Sequence, residues 1–412
     1  MNNLTMDKNY FKRIKSITSA IVAGLIIFLF ILCNLNSVYG QAISAKWITQ
    51  NLKDADAQYK VFMQKIPDGV MPESFQGDTL KTCNSSNWVA GFYPGTLLYL
   101  YEATKDKTLY NEALKKITLM DKEQYNTGTH DLGFMMYCSY GNLYRIKPDD
   151  AYKQILLNSA RSLSTRFNPT VGCIRSWGKS NDIKEFRVII DNMMNLELLF
   201  WATKVTGDSS FYKIAVTHAN TTMKNHFRPN YSSYHVVVYN PLTGAVIKKQ
   251  TAQGAADASA WARGQSWGLY GYTIMYRFTK DKKYLEEAQH IAKFILSNPN
   301  LPADKIPYWD YDAPGIPNAK RDASAGAIMA AALLELSGYS GKALSKEYVS
   351  TASTILKTLS SPEYKAAIGT NGGFLLKHSV GSLPGNADVD APLPYADYYY
   401  VEAMNRYQKL LK

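Results

Sequence analysis

The sequence predicts an all-α fold: an (α/α)6 toroid carrying one small β-hairpin insertion. Three observations lead there. A helix-pair pattern recurs along the chain; the first helix of each pair is almost wholly apolar and aromatic while the second is amphipathic; and only one segment alternates clearly in the manner of strands.

The chain of 412 residues opens with a segment that stands apart from the repeats. Lys8, Lys12, Arg13 and Lys15 precede an apolar stretch at 21–32, and Val38 and Gly40 place small residues before Gln41. This is the layout of a secretory signal, and the apolar run is short for a spanning helix. Cys33 follows Leu32, a poor match to a lipid-attachment site. Residues 1–40 are therefore read as a signal peptide and 41–412 as one catalytic domain, exported and periplasmic, with no stable membrane insertion after processing.

Four of the basic residues and Asp7 lie in that leader, so the formal charge of +12 falls to +9 without it. A mildly basic surface favours anionic partners. The Lys and Arg residues are scattered, no zinc-finger spacing occurs, and no nucleic acid is expected as a partner. Cys83, Cys138 and Cys173 have no metal-ligand spacing and imply no disulfide framework. No metal site is expected, and the oligomeric state is not legible.

The helix pairs follow in order at 91–117, 133–163, 195–223, 268–296 and 325–359, and a sixth first-helix lies at 396–411. The helix at 42–66 is its natural partner. Six inner and six outer helices close into a ring; an open solenoid would need polar end caps, and the sequence supplies none. The β signal is "YHVVVYNPLTGAVIKKQ" (234–250), a hairpin expected at the rim.

Alternation of inner and outer helices brings the amino termini of the inner set to one mouth. Gathered there are Trp88, His130 and Asp131, Asp191, Arg263, Gln265 and Trp267, Asp322 and Ser324, and Asp397. Each aspartate has a plain explanation, since Asp is a favoured N-cap and complements the helix dipole. Taken together, carboxylates beside aromatic rings point to a glycan-processing pocket, with acid and base from the carboxylates and sugar faces stacked on tryptophan. Asp191 stands between Val188-Ile189-Ile190 and Met193-Met194, apolar surroundings that disfavour its charged form and fit a general acid. Asp131, in the polar loop "NTGTHDLGF", is the better candidate to stay ionised.

The segments "NWVAGFYPG", "HDLGFMMY", "IIDNMMNLELLFWA", "TAQGAADASAWARGQSWGLYG", "IPYWDYDAP", "RDASAGAI" and "DVDAPLPYADYYYVEA" resemble the unsaturated glucuronyl hydrolases, glycoside hydrolase family 88, over essentially the whole mature chain. The resemblance implies the (α/α)6 ring and an unusual activity: hydration of the C4=C5 double bond that polysaccharide lyases leave on a non-reducing uronic acid. It implies no cofactor. Asp191 matches the acid/base and Asp131 the second essential carboxylate. His235, Gln253, Arg263 and Trp267 match binding residues, with Trp88 and Trp177 as stacking platforms.

Arg263 has two readings, a bidentate partner for the substrate carboxylate or an ion pair to a neighbouring Asp. His235 is read either as a ligand contact or as an exposed strand residue, and Gln253 as a ligand contact or as turn chemistry. Trp201 and Trp261 are read as core. In the loop "HSVGSLPG", Ser379 and Ser382 are present, but Pro384 stands where relatives that favour 6-sulfated units have a lysine. The expected partner is an anionic unsaturated oligosaccharide derived from glycosaminoglycans. The alternatives are an unsaturated rhamnogalacturonyl hydrolase, a non-catalytic glycan-binding toroid, and a lyase with Tyr137 or His235 as its base.

Overall fold

The computed structural model describes residues 43–179 and 181–412. The proposed signal segment, 1–40, lies outside the described residues. The outer helices are α1 (Ala45–Lys65), α3 (Lys107–Thr118), α5 (Asp150–Ser164), α7 (Ser209–His226), α9 (Lys282–Leu296) and α11 (Lys342–Leu359). The inner helices are α2 (Phe92–Thr104), a helix wound as a π-helix over Gly133–Gly141 that continues as α4 (Asn142–Ile146), α6 (Asn192–Thr206), α8 (Ala262–Thr279), α10 (Ala323–Ser337) and α12 (Pro394–Leu410).

Each inner helix packs on the next, and α12 returns to α2, so the ring closes as the repeat count predicts. Helix α1 packs on α12, completing the sixth pair. Residues 44–412 make one compact unit. Close approach inside the ring depends on glycine at two contacts in particular. A Cβ on Gly133 would lie 2.4 Å from the Asn195 backbone, and one on Gly271 would lie 2.4 Å from the Met193 side chain. Asn195 Oδ1 accepts the N–H of Phe134 at 2.9 Å, tying the π-wound turn to α6. Such π turns often occur at functional sites.

The outer helices explain their own beginnings. Asp106, Asp149, Asp208 and Asp281 each accept the N–H two residues on, as N-caps do. The prediction of a single hairpin needs correction. Strands β6 (Val236–Tyr239) and β7 (Val246–Gln250) do pair, but β6 also pairs antiparallel with β5 (Phe186–Ile189), giving a three-stranded sheet. Its core joins Val188 and Phe186 to Val237 and Tyr239. The hairpin is therefore fastened to the strand that leads into Asp191 and does not stand alone at the rim. Three further two-stranded sheets escaped the pattern: β1 (Met71–Gln76) with β2 (Thr79–Cys83), β3 (Phe167–Asn168) with β4 (Cys173–Ile174), and β8 (Ser379–Ser382) with β9 (Ala387–Ala391). Cys83, Cys138 and Cys173 are free thiols. Among the described residues no helix is long and apolar enough to cross a membrane, and no cluster of His, Cys, Asp or Glu has the makings of a metal site.

Candidate active site

Strand register sets the first contact of the site. Ile189 pairs with Val236, and the next step brings the Ile190 N–H onto the His235 carbonyl at 3.1 Å. Asp191 thus leaves β5 where His235 enters β6, and the Asp191 Oδ2 stands 3.8 Å from His235 Nε2. Asp191 occupies the N-cap position of α6, yet its backbone is already helical and its side chain makes no capping bond. The four outer-helix aspartates cap; this one does not.

Asp191 is 8% exposed and its Oδ2 has no hydrogen-bond partner. Burial pushes the carboxyl up to about 7; Arg263 opposes that rise, and the charge of Asp131 adds to it. The sequence expectation of a carboxyl holding its proton near neutrality agrees with this environment. Asp131 is half-buried, accepts from the Thr129 hydroxyl at 3.1 Å, and lies 3.4 Å from His130 Nε2.

His235 is 3% exposed, which removes the exposed-strand reading. Its Nδ1 accepts the N–H groups of Ala252 and Gln253, each at 3.2 Å. Burial, helped by the charge of Arg263, holds the ring down at about 3. The neutral ring therefore carries its proton on Nε2, which is buried, unpartnered and directed at Asp191. Trp267 is fully buried, and its indole N–H also lacks a partner while lying near enough to Asp191 to favour its charged form. Three buried polar groups thus gather around one point without hydrogen bonds to one another, an arrangement that calls for an explanation other than stability.

The remaining predicted residues divide. Trp177 is half-buried and meets the His235 ring edge-on at 5.6 Å. Trp88 is half-buried against Tyr395 at 4.9 Å, so both tryptophans keep some exposed surface. Gln253 serves the site chiefly through its backbone, which fixes the His235 tautomer, while its Nε2 donates to Gly381 O at 3.2 Å. Arg263 is not a free guanidinium. Its Nη1 pairs with Asp322 at 3.1 Å and donates to Val380 O, and its Nη2 donates to Gly381 O at 2.6 Å. The ion-pair reading is the one the structure shows, so a role as an unencumbered carboxylate anchor gives way.

Asp322 and Asp397 are both occupied by groups of the protein itself. Asp322 caps α10, and Asp397 accepts from Leu375 N, Leu376 N and the Tyr59 hydroxyl. Gln265 is likewise occupied, by Ser233 N. Trp261, read from sequence as core, packs tilted against the His235 ring at 4.4 Å and under Arg263 at 4.5 Å, so it belongs to the site's support. Its place directly before "ARGQSW" was the available signal. Trp201 lines a cavity of about 900 Å³ at the opposite end of the ring, where the inner helices finish. Tyr137 lines that cavity too, at the end of the ring away from His235 and Asp191.

The sequence matches the model of Glycosyl Hydrolase Family 88 over residues 55–410. The chain belongs to that family. It is a glycoside hydrolase. An unsaturated glucuronyl hydrolase from Formosa agariphila is 46% identical over 328 residues, covering 79% of this chain and 81% of the relative. A crystal structure described as an unsaturated glucuronyl hydrolase specific for heparin superposes with a TM-score of 0.86 at 49% identity, covering 90% of this chain and all of the other. The unsaturated glucuronyl hydrolase of Streptococcus agalactiae matches with a TM-score of 0.85 at 30% identity, covering 90% and 94%. The family therefore shares the ring that the helix count predicts.

Proposed function

We propose that the chain removes unsaturated glucuronyl residues from glycosaminoglycan fragments by hydrating the C4=C5 bond, with Asp191 as the acid and then the base. The observation that carries this reading is the buried, uncapped and unpartnered Asp191 carboxyl facing His235 Nε2–H at the mouth of a family 88 ring. A carboxyl poised at about 7 is protonated in a useful fraction of molecules at neutral pH. It delivers that proton to C4, leaving positive charge shared between C5 and the ring oxygen. The carboxylate so formed takes a proton from the water that adds at C5, and the resulting hemiketal opens and releases the neighbouring sugar. Asp131 places a second negative charge near the developing cation and helps keep Asp191 protonated beforehand. The donors of His235 and Trp267 hold the uronate, with Trp177 and Trp88 bounding the sugar faces.

For the substrate we propose heparin-type unsaturated disaccharides ahead of 6-sulfated chondroitin units. The heparin-specific relative is alike at 49% identity, and Pro384 replaces the lysine expected of the chondroitin preference. Loss of the ultraviolet absorbance of the conjugated uronate, followed on heparin, chondroitin, hyaluronan and pectin disaccharides, tests both statements. No loss on any glucuronyl substrate would end the first, and faster loss on chondroitin 6-sulfate disaccharide would end the second. The reading also places the reaction outside the cytoplasm after removal of residues 1–40. An intact mass from the periplasmic fraction that retains the leader would contradict it.

A further inference from the structure

The guanidinium of Arg263 is buried between the reacting carboxyl and the β8 backbone, and what fixes it there is Asp322. That aspartate is 0% exposed, so it reaches no substrate. Its two oxygens do different work. Oδ1 accepts from Ser324 N at 3.0 Å and from the Ser324 hydroxyl at 2.6 Å, and it faces Val380 N at 3.4 Å. Oδ2 holds Arg263 Nη1. Arg263 in turn donates to the carbonyls of Val380 and Gly381, lies over the Trp261 ring that packs tilted against His235, and acts electrostatically on Asp191. One carboxylate thus joins the start of α10, the start of α8 and strand β8.

We propose that Asp322 is a positioning residue for the reaction: by neutralising and orienting Arg263 it governs how strongly that guanidinium bears on Asp191 and where the Val380-Gly381 backbone stands. The physical argument is a balance of charge in a site of low effective dielectric. The groups facing Asp191 are Arg263, Asp131, the neutral ring of His235, the Trp267 N–H and the Tyr395 hydroxyl. Arg263 is the one cation among them, and Asp322 is the carboxylate paired with it at 3.1 Å. Without Asp322 the full positive charge bears on Asp191 and favours its ionised form, which is useless as an acid. Without Arg263 the ionised form loses its support. The strand contact adds a second consequence, because Gly381 O also receives Gln253 Nε2 and so couples β8 to the loop that fixes the His235 tautomer.

This inference rests on Asp191 being the acid, and the test separates the two claims. Profiles of kcat/KM against pH are compared for wild type, Asp322→Asn, Arg263→Gln and Arg263→Lys, with Asp191→Asn alongside. The expected result is an alkaline limb displaced downward by about one pH unit in Asp322→Asn and upward by a similar amount in Arg263→Gln. Arg263→Lys keeps the charge and loses the fork, so its limb stays while KM rises. A merely structural role would reduce the yield of folded enzyme and leave every limb in place. An unmoved or upward limb in Asp322→Asn overturns the proposal. Should that variant fail to fold, the arginine pair decides, and equal displacement in Arg263→Gln and Arg263→Lys overturns it. Turnover surviving in Asp191→Asn would instead remove the acid assignment on which the proposal stands.

Discussion

The two ends of this ring are built from the same six helices, and they differ in which buried polar groups are left without partners. Where the inner helices finish, every guanidinium has a carboxylate. Arg277 pairs with Glu197 and Glu335, Arg406 with Glu335 and Glu402, and Arg145 with Glu102. The hydroxyls of Tyr99 and Tyr270 also donate to Glu402. Where the inner helices begin, Asp191 Oδ2, His235 Nε2 and Trp267 Nε1 are buried and left without partners. The finishing end holds a cavity of about 900 Å³, lined by these paired charges and away from Asp191. Leaving buried polar groups unsatisfied costs stability, so three of them gathered around one carboxyl point to a use other than stability.

The sharpest way to break this comparison is Asp191→Asn. The amide cannot deliver a proton, and kcat should fall by about a thousandfold or more. Disaccharide absorbance assays check it, and near-normal turnover would show that the unpartnered groups are not the machinery. His235→Gln should cost about ten- to a hundredfold in kcat/KM. It removes the Nε2 donor and also the acceptor of Ala252 and Gln253, so unchanged kinetics would take His235 out of the site. At the other end Glu335→Gln should leave kcat per folded molecule alone and destabilise by about 1–3 kcal/mol, since two half-buried arginines lose their shared carboxylate. Burial pushes Glu335 up, but Arg277 and Arg406 together hold it down at about 2. That stabilisation is present above about 4.5 and is lost as pH falls through about 2. Denaturant midpoints measured at neutral and at strongly acid pH should therefore show the mutant and wild type converging in acid.

The ring was readable because its signal is redundant: six apolar inner helices and amphipathic outer partners repeat one message, and a local error cannot hide it. The place of Asp191 was readable for a related reason, since a carboxyl inside a run of buried apolar residues conflicts with its surroundings. What the sequence could not convey was pairing across long separations. The β5–β6 register that sets Asp191 against His235 joins residues far apart in the chain, and nothing in either strand names the other. Arg263 was ambiguous for the same reason, because Asp322, the partner that decides its role, lies 59 residues on. The β8–β9 hairpin was hidden by its own irregularity, with a break in register and left-handed backbone at His378, Asn386, Asp388 and Asp390, none of them glycine.

The smallest expected effect tests the partnerless state of Asp191 most finely, because it sets two carboxyls of the same mouth, raised to the same value, against each other. Burial raises both Asp191 and Asp397 to about 7. For each, the native state binds a proton that the unfolded chain releases above about 3.8, so stability falls as pH rises from about 3.8 to about 7 and is level beyond. Replacement by asparagine removes that penalty in both cases. Asp397, however, receives Leu375 N and the Tyr59 hydroxyl on one oxygen and Leu376 N on the other, so whichever position the amide takes, its NH2 faces a donor. Asp191 receives no such set. Asp191→Asn should therefore raise Tm by about 2–4 °C at pH 8 and by less at pH 4, while Asp397→Asn should lower it at both. Thermal melts at the two pH values decide the matter: a loss of Tm in Asp191→Asn would mean that this carboxyl is held by the fold after all, and that the two ends of the ring differ less than their hydrogen bonds indicate.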